Sequence, residues 1–381
     1  MRSKLFFTLA LAAAPIFAAT RAELAIRQAN AEIEKQPSFY AHYNALAMAY
    51  ARRARETCDP QYSVKAEEAV KKSLAMSPGN FEGAKVETFL QLERHEYARA
   101  LQSATELNQR VPDDISVYGY LVDADVELGN YQQALEPAQW MLDLRPGNAG
   151  GLLHAATLRE LHGKLTGALE LVQMAYNATP NTETEDRAWM LAQESRLEFL
   201  MDDLAKAESY AQEALTIFPN HRDGLMAMAG IRQAQHRYDE AVSLLKERYD
   251  LAPRTENLYA LAEAQELAGQ QEDAQTTYRK FEAQAQAESQ SPDNSNRELI
   301  LYYADHAGEP AKALAIARRE IAQRHDVLTL DAYAWALAAN GDYAEANRQM
   351  QAVLDVGIKN QSILSHARDI ARHREGAGGG Q

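Results

Sequence analysis

The amino-acid sequence predicts an all-α solenoid of about nine stacked helical hairpins, with a capping helix at each end. Three observations predict it. Good helix formers (Ala, Leu, Glu, Gln) are abundant while Gly and Pro number 19 and 12 among 381 residues, and no run of alternating β-branched residues bounded by turn chemistry is present. Prolines recur at a 34-residue step: Pro112, Pro146, Pro180, then Pro219 five residues late, and Pro253 back in step. A glycine series and an alanine series run in phase with them.

The hydrophobic fraction, 46%, is that of an ordinary folded chain. A repeat array of this length needs no single central core, because each unit buries its apolar face against its neighbours. The formal net charge is -15, and no stretch concentrates Lys and Arg. Both facts argue against nucleic acid and against an anionic membrane surface as the main partner. The acidity suits solubility and a basic partner.

Residues 1–19 read as a signal peptide. Arg2 and Lys4 form a short positive segment, and Leu5 to Ala14 form an apolar one. That apolar run is far short of the roughly 20 residues that span a bilayer. Small residues at Ala18 and Ala19 suit cleavage, which takes the mature charge to -17 by removing Arg2 and Lys4. The expected location is periplasmic or secreted, with no integral membrane segment in the mature chain. An uncleaved N-terminal anchor is the rival reading. The only cysteine, Cys58, lies too far along to carry a lipid after the apolar run, and it excludes an intrachain disulfide.

Residues 20–37 are assigned to an N-terminal cap, in which Leu24 and Ile33 have spacing to share one face of a helix. Residues 38–291 hold units one to seven, and 292–360 hold units eight and nine. Each Pro of the series follows an amphipathic helix and fixes where one hairpin gives way to the next. Gly129, Gly163, Gly269, Gly308 and Gly341 end the first helix of a hairpin, where left-handed dihedrals are needed. Five residues after the turn comes a small residue: Ala100, Ala134, Ala168, Ala207, Ala241, Ala274, Ala313 and Ala346. A larger side chain there overpacks the helix crossing at a cost of about 1–3 kcal/mol. The first unit holds about seven extra residues around Arg55 to Gln61. Gln284 to Asn296, QAQAESQSPDNSN, reads as a flexible loop, or else as a long helix ending at Ser289. Residues 361–374 are assigned to a C-terminal cap with Ile363, Leu364 and Ile370 on its packing side, and 375–381 to a disordered tail.

These series resemble the tetratricopeptide repeat (TPR). The clearest unit is Ile115 to Asn148, ISVYGYLVDADVELGNYQQALEPAQWMLDLRPGN. The last, Val327 to Asn360, carries ANGDYAEA and has Gly357 in place of a terminal Pro. The order of units also resembles a bacterial family of exported TPR proteins, with an ELG-Y--A unit early and TLDAYAWALAANGDYAEA, Thr329 to Ala346, late. The resemblance implies a right-handed α-solenoid and export, and it brings no assigned chemistry.

No enzyme signature is found. HExxH, zinc-spaced Cys/His pairs, a nucleophile elbow and a Gly-rich phosphate loop are all missing. His154 and His162 are eight residues apart, and His366 and His373 seven, so these read as surface or helix-end histidines. Asp123, Asp125 and Glu127 read as a solvated acidic stripe, and Cys58 as a loop thiol. Tyr97, Tyr131, Tyr238 and Tyr343, two residues past each turn, read as packing aromatics. No catalytic residue, cofactor or metal is expected.

The resemblance also implies which residues line the concave groove: Asp123, Glu127, Glu160, Arg196, Tyr259, Glu263, Glu266, Tyr302, Asp305, Asp331 and Trp335. They combine carboxylates with aromatics and few cations, which suits an extended basic segment. Groove residues that grip a C-terminal carboxylate in this fold do not match here, where Lys85 and Phe89 stand in the second unit. The expectation is a non-catalytic scaffold that binds a protein or peptide in its groove. A structural or assembly role in a cell-envelope or secretion complex is the alternative.

Overall fold

The computed structural model describes residues 20–57, 59–289 and 296–378, with side chains through residue 373. Residues 1–19, where a signal peptide is expected, Cys58 and Ser291-Pro292 lie outside the described residues. The described residues are all-α. Helix α1 (Arg21–Lys35) comes first. Nine hairpins follow: α2–α3 (Tyr40–Thr57, Pro60–Met76), α4–α5 (Phe81–Glu93, Tyr97–Arg110), α6–α7 (Ile115–Leu128, Tyr131–Leu144) and α8–α9 (Ala149–Leu161, Leu165–Ala178) begin the series. Next are α10–α11 (Thr184–Leu200, Leu204–Ile217), α12–α13 (Arg222–Ala234, Tyr238–Leu251) and α14–α15 (Thr255–Leu267, Gln271–Glu288). The last two are α16–α17 (Arg297–Asp305, Pro310–Glu320) and α18–α19 (Val327–Ala339, Tyr343–Val356), and α20 (Gln361–Gly378) covers the end.

Each hairpin is built by the same local chemistry. All eight alanines of the series are buried, where the two helices of a hairpin cross. The five turn glycines have φ between 64° and 82°. Four hairpins lack a turn glycine; in three of them His95, Asp202 and His236 hold the same left-handed region at φ 57°, 68° and 59°, and the fourth is the lengthened first hairpin. Each Pro of the series sits two residues past the last helical residue, where a missing N–H costs nothing. Asn80, Asp114, Asn148, His221 and Asp326 cap the next first helix, each accepting a backbone N–H from three residues on. Such a cap contributes about 1 kcal/mol.

First helices pack directly on first helices, as α2 on α4, α4 on α6, α6 on α8, α10 on α12 and α16 on α18. Closer approach on that side makes it the inner, concave wall of the winding ribbon. The largest apolar cluster lies in hairpins seven to nine, around Leu258, Phe281 and Ile300.

Four expectations are corrected. Gln284 to Glu288 belong to α15, which ends at the Ser289 cap, so that stretch is helix and not loop. Its Ala and Gln residues are good helix formers, and polarity alone does not break a helix. The extra residues of the first hairpin lengthen α2 and α3 to 18 and 17 residues, Pro60 starting α3 at a position that tolerates it. Leu24 is 52% exposed, and Ala22 and Ala29 face the array instead, with Ile33 half-buried beside them. Helix α20 runs to Gly378, past the start assigned to the tail, since Gly lowers helix propensity without forbidding a last turn. As expected, Ile363 and Ile370 are buried on its packing side.

Candidate partner-binding lumen

The ribbon winds so tightly that its edges meet. The turn edge of early hairpins touches the inter-hairpin edge of later ones, at two seams. At the first, Arg21, Arg52 and Arg55 face Glu183, Glu185 and Asp186 at the start of α10. Arg52 reaches Glu183 at 2.6 Å and Asp186 at 3.4 Å, Arg55 reaches Asp186 at 3.5 Å and Glu185 at 3.8 Å, and Arg21 pairs with Glu183. At the second, the Val327 N–H donates to the Tyr131 hydroxyl at 2.8 Å, and His162 Nδ1 meets the Val356 carbonyl at 3.0 Å. Gly129 and Gly163 lie directly against the backbone of His325 and Gly357. Residues about 130 and 195 positions apart are thereby joined, and the concave face becomes the wall of an enclosed lumen.

Charges from several hairpins face one another across it. Burial pushes the Glu93 carboxyl up, against the pull of Arg55, Arg222 and Arg254, which come from hairpins one, six and seven. Arg324 lies over the Tyr97 ring, 5.6 Å from its centroid. Burial also raises Glu127, Asp326 adds to the rise, and the Tyr97 hydroxyl and Arg324 oppose it. Around Glu93 and Tyr97 the inner wall is therefore mixed in charge, which corrects the expectation of few cations. Arg222, Arg254 and Arg324 sit at helix starts or in inter-hairpin loops, outside the helix positions used to list groove residues.

A group of carboxylates gathers on α14 and at the end of α16. Burial pushes Glu263 up to about 7; a hydrogen bond from Tyr259 opposes this, and Asp305, Glu298 and Glu266 add to it. Burial likewise raises Asp305, although Trp335 donates its indole N–H to that carboxylate at 2.7 Å. Glu266 accepts the Tyr278 hydroxyl at 3.2 Å.

The sequence-derived groove residues divide into two sets. Asp123, Glu127, Glu160, Arg196, Glu263, Glu266, Asp305 and Trp335 retain exposed surface. Glu160 and Arg196 are spent on each other in a two-toothed ion pair between hairpins four and five. Tyr259 and Tyr302 are 6% and 8% exposed and pack on Phe281, while Asp331 is 6% exposed under His366. Those three are taken up by packing. The Tyr302 hydroxyl donates to Glu282 on α15, not into the lumen.

Three histidines pair with carboxylates on the inner wall, and two of them, His154 and His366, correct the surface or helix-end reading. His154 Nδ1 lies 3.3 Å from Asp123, His306 Nδ1 3.4 Å from Glu266, and His366 Nδ1 3.0 Å from Asp331. The first pair joins α8 to α6, the second the end of α16 to α14, and the third the capping helix α20 to α18; His366 also stacks on Trp335 at 4.2 Å between centroids. Their spacings of 31, 40 and 35 residues follow the repeat length, a signal that a search for short metal motifs does not sample. Among the described residues no group of three His, Cys, Asp or Glu side chains is placed to hold a metal ion, and no helix is long and apolar enough to cross a membrane.

No protein-family model matches the chain, and no curated protein matches it. Among solved structures it is similar to a chain of the APC/C hetero-tetramer Cut9–Hcn1, at 11% identity and a TM-score of 0.50, over 91% of this chain and 58% of that one. The chain thus spans little more than half the length of that neighbour. It is also similar to human IFIT1, in a dimer with m7Gppp-AAAA, at 12% identity and a TM-score of 0.50, over 90% of this chain and 96% of that one. At such identities the likeness speaks to fold alone. The fold is an all-α helical-repeat solenoid of the TPR type.

Proposed function

We propose that this protein is a non-catalytic scaffold that takes a protein segment into its lumen, where basic side chains of the partner meet Glu263, Glu266 and Asp305. One observation carries the reading: these carboxylates crowd together on the inner wall, and burial raises Glu263 to about 7 and Asp305 above its ordinary range. A Lys or Arg arriving there relieves like-charge crowding and stabilises the ionised forms. Trp335 beside them offers an aromatic face for the same cation.

The mixed charge around Glu93 restricts the preference. A uniformly basic segment meets Arg222 and Arg254 there, so the reading favours a partner whose basic residues are concentrated at one end. Export rests on Arg2 to Ala19 and places the encounter in the periplasm or outside the cell. Uncleaved full-length chain in the cytoplasmic fraction contradicts that part.

The test uses a photo-crosslinking residue at Glu266 in the lumen and, separately, at Gln139 on outer helix α7. Adducts with a defined protein from Glu266 and not from Gln139 support the reading. Adducts with RNA at Glu266 overturn it in favour of a nucleic-acid binder, a use of this fold seen in the human IFIT1 complex.

A second reading, assembly of a larger envelope or secretion complex, has one observation in its favour. Trp140 and Met174 occupy the same position of consecutive hairpins and are 45% and 52% exposed. Protein adducts from Gln139 alone favour it.

A further inference from the structure

The two seams that enclose the lumen differ in chemistry. The second seam is built on an apolar cluster: Tyr131 and Val327 belong to one buried group with Leu337 and Ile363, backbone groups take part in two hydrogen bonds across it, and its charged contact is Arg324 over the Tyr97 ring. The first seam is ionic. Three arginines from α1 and α2 face three acidic side chains at the start of α10, and Arg21 also donates to the Thr182 hydroxyl. Among the described residues no buried apolar cluster bridges it. The cluster of hairpins one and two, around Ala47, Val70 and Leu90, is separate from those of hairpins four and five.

From this difference we propose that the first seam is an ionic clasp: α1 to α3 move as a block away from α10 to admit a partner to the lumen, and close again, while the second seam stays shut. The proposal rests on the lumen reading above and adds its route of access. The block has internal ties that survive opening. Thr20 donates to Glu56, and Arg53 pairs with Glu23 at 2.7 Å and with Glu56 at 3.0 Å. A solenoid has no central core resisting such a swing, because each hairpin is held by its neighbours alone. The clasp side chains are partly exposed, between 11% and 51%, so salt reaches them. Screening acts over about 8 Å at physiological ionic strength and about 3 Å at 1 M. Ion pairs weaken with salt, and the apolar seam does not.

The experiment measures distances between spin labels in the full chain with Cys58→Ser as background. One pair, Gln28→Cys with Asn177→Cys, spans the clasp, and another, Gln132→Cys with Gln351→Cys, spans the second seam. The expected result is one short distance for both pairs at low salt. In 1 M NaCl a longer population grows for the clasp pair only. Arg52→Glu with Arg55→Glu opens the clasp at all salt concentrations, and adding Glu183→Arg with Asp186→Arg closes it again. A clasp distance unchanged by salt and by the arginine variants overturns the proposal. So does an opening that the charge swap fails to reverse. Circular dichroism of each variant shows the helical content retained. If the reversed arginines unfold the chain, the salt series on the parent protein decides alone.

Discussion

The hydroxyl of Tyr131, the first residue of α7, accepts the backbone N–H of Val327, the first residue of α18, at 2.8 Å across 196 residues of sequence. Val327 is buried and its N–H is one of the helix-start donors that need an outside partner. Tyr131→Phe keeps the ring and removes the acceptor. The expected loss is about 1–3 kcal/mol, the cost of leaving a buried donor unsatisfied. Urea denaturation of wild type and variant measures it. A loss no larger than that of a Tyr238→Phe control, a half-buried ring whose hydroxyl meets the exposed His236 of its own turn, contradicts the seam.

Gly129 and Gly163 carry two constraints at once. Their φ values are 82° and 69°, and a Cβ on either meets backbone across the second seam. Gly269 and Gly341 share the first constraint but face open space. Gly269→Ala is therefore expected to cost about 1–2 kcal/mol for the left-handed backbone alone. Gly129→Ala and Gly163→Ala must also part the seam, and about 3 kcal/mol or more is expected for each. Equal losses at all four positions contradict the close approach.

His95 and Asp202 stand where other hairpins use glycine, at φ 57° and 68°. Glycine relieves left-handed strain of about 1–2 kcal/mol and returns part of it as chain entropy. His95→Gly and Asp202→Gly should each raise stability by roughly 0.5–1 kcal/mol. Thermal melts of the two variants show the gain; lower melting temperatures contradict it.

Burial pushes Glu185, Glu194 and Glu263 each up to about 7. The folded chain then binds these protons more tightly than the unfolded chain does. The sign follows: stability is greatest below the unfolded value near 4.5, falls as pH rises toward 7, and levels off above it. Glu194 is the cleanest case. It is 2% exposed between α9 and α11, and its Oε1 has no hydrogen-bond partner. A shift of that size corresponds to roughly 3 kcal/mol. Denaturation at pH 5 and pH 8 should show Glu194→Gln more stable than wild type at pH 8 and nearly equal at pH 5. The reverse order contradicts the buried acid.

What was legible in the sequence is what neighbouring hairpins impose on each other. Ala134, Gly129 and Pro146 recur because every hairpin repeats the same crossing, the same turn and the same stop. Both seams were illegible, because they join residues with no fixed sequence separation. Tyr131 is recognisable as a packing aromatic, but its partner Val327 is set by how tightly the whole ribbon winds. Arg52 and Arg55 look like neighbours of Cys58 until winding sets them against Glu183 and Asp186. The groove positions were half legible. Repeat register gives the side of the helix that Tyr259 and Asp331 occupy, but not how deeply curvature buries them under Tyr278 and His366.

The most direct test of lumen binding is fluorescence anisotropy with two labelled extended peptides of equal length, one bearing Lys and Arg at one end and the other bearing Glu and Asp there. Wild-type protein is expected to bind the basic peptide at least tenfold more tightly, and Glu263→Gln with Asp305→Asn to remove that preference. Equal affinity for the two peptides, or a preference that survives the double variant, contradicts binding at the acidic wall of the lumen.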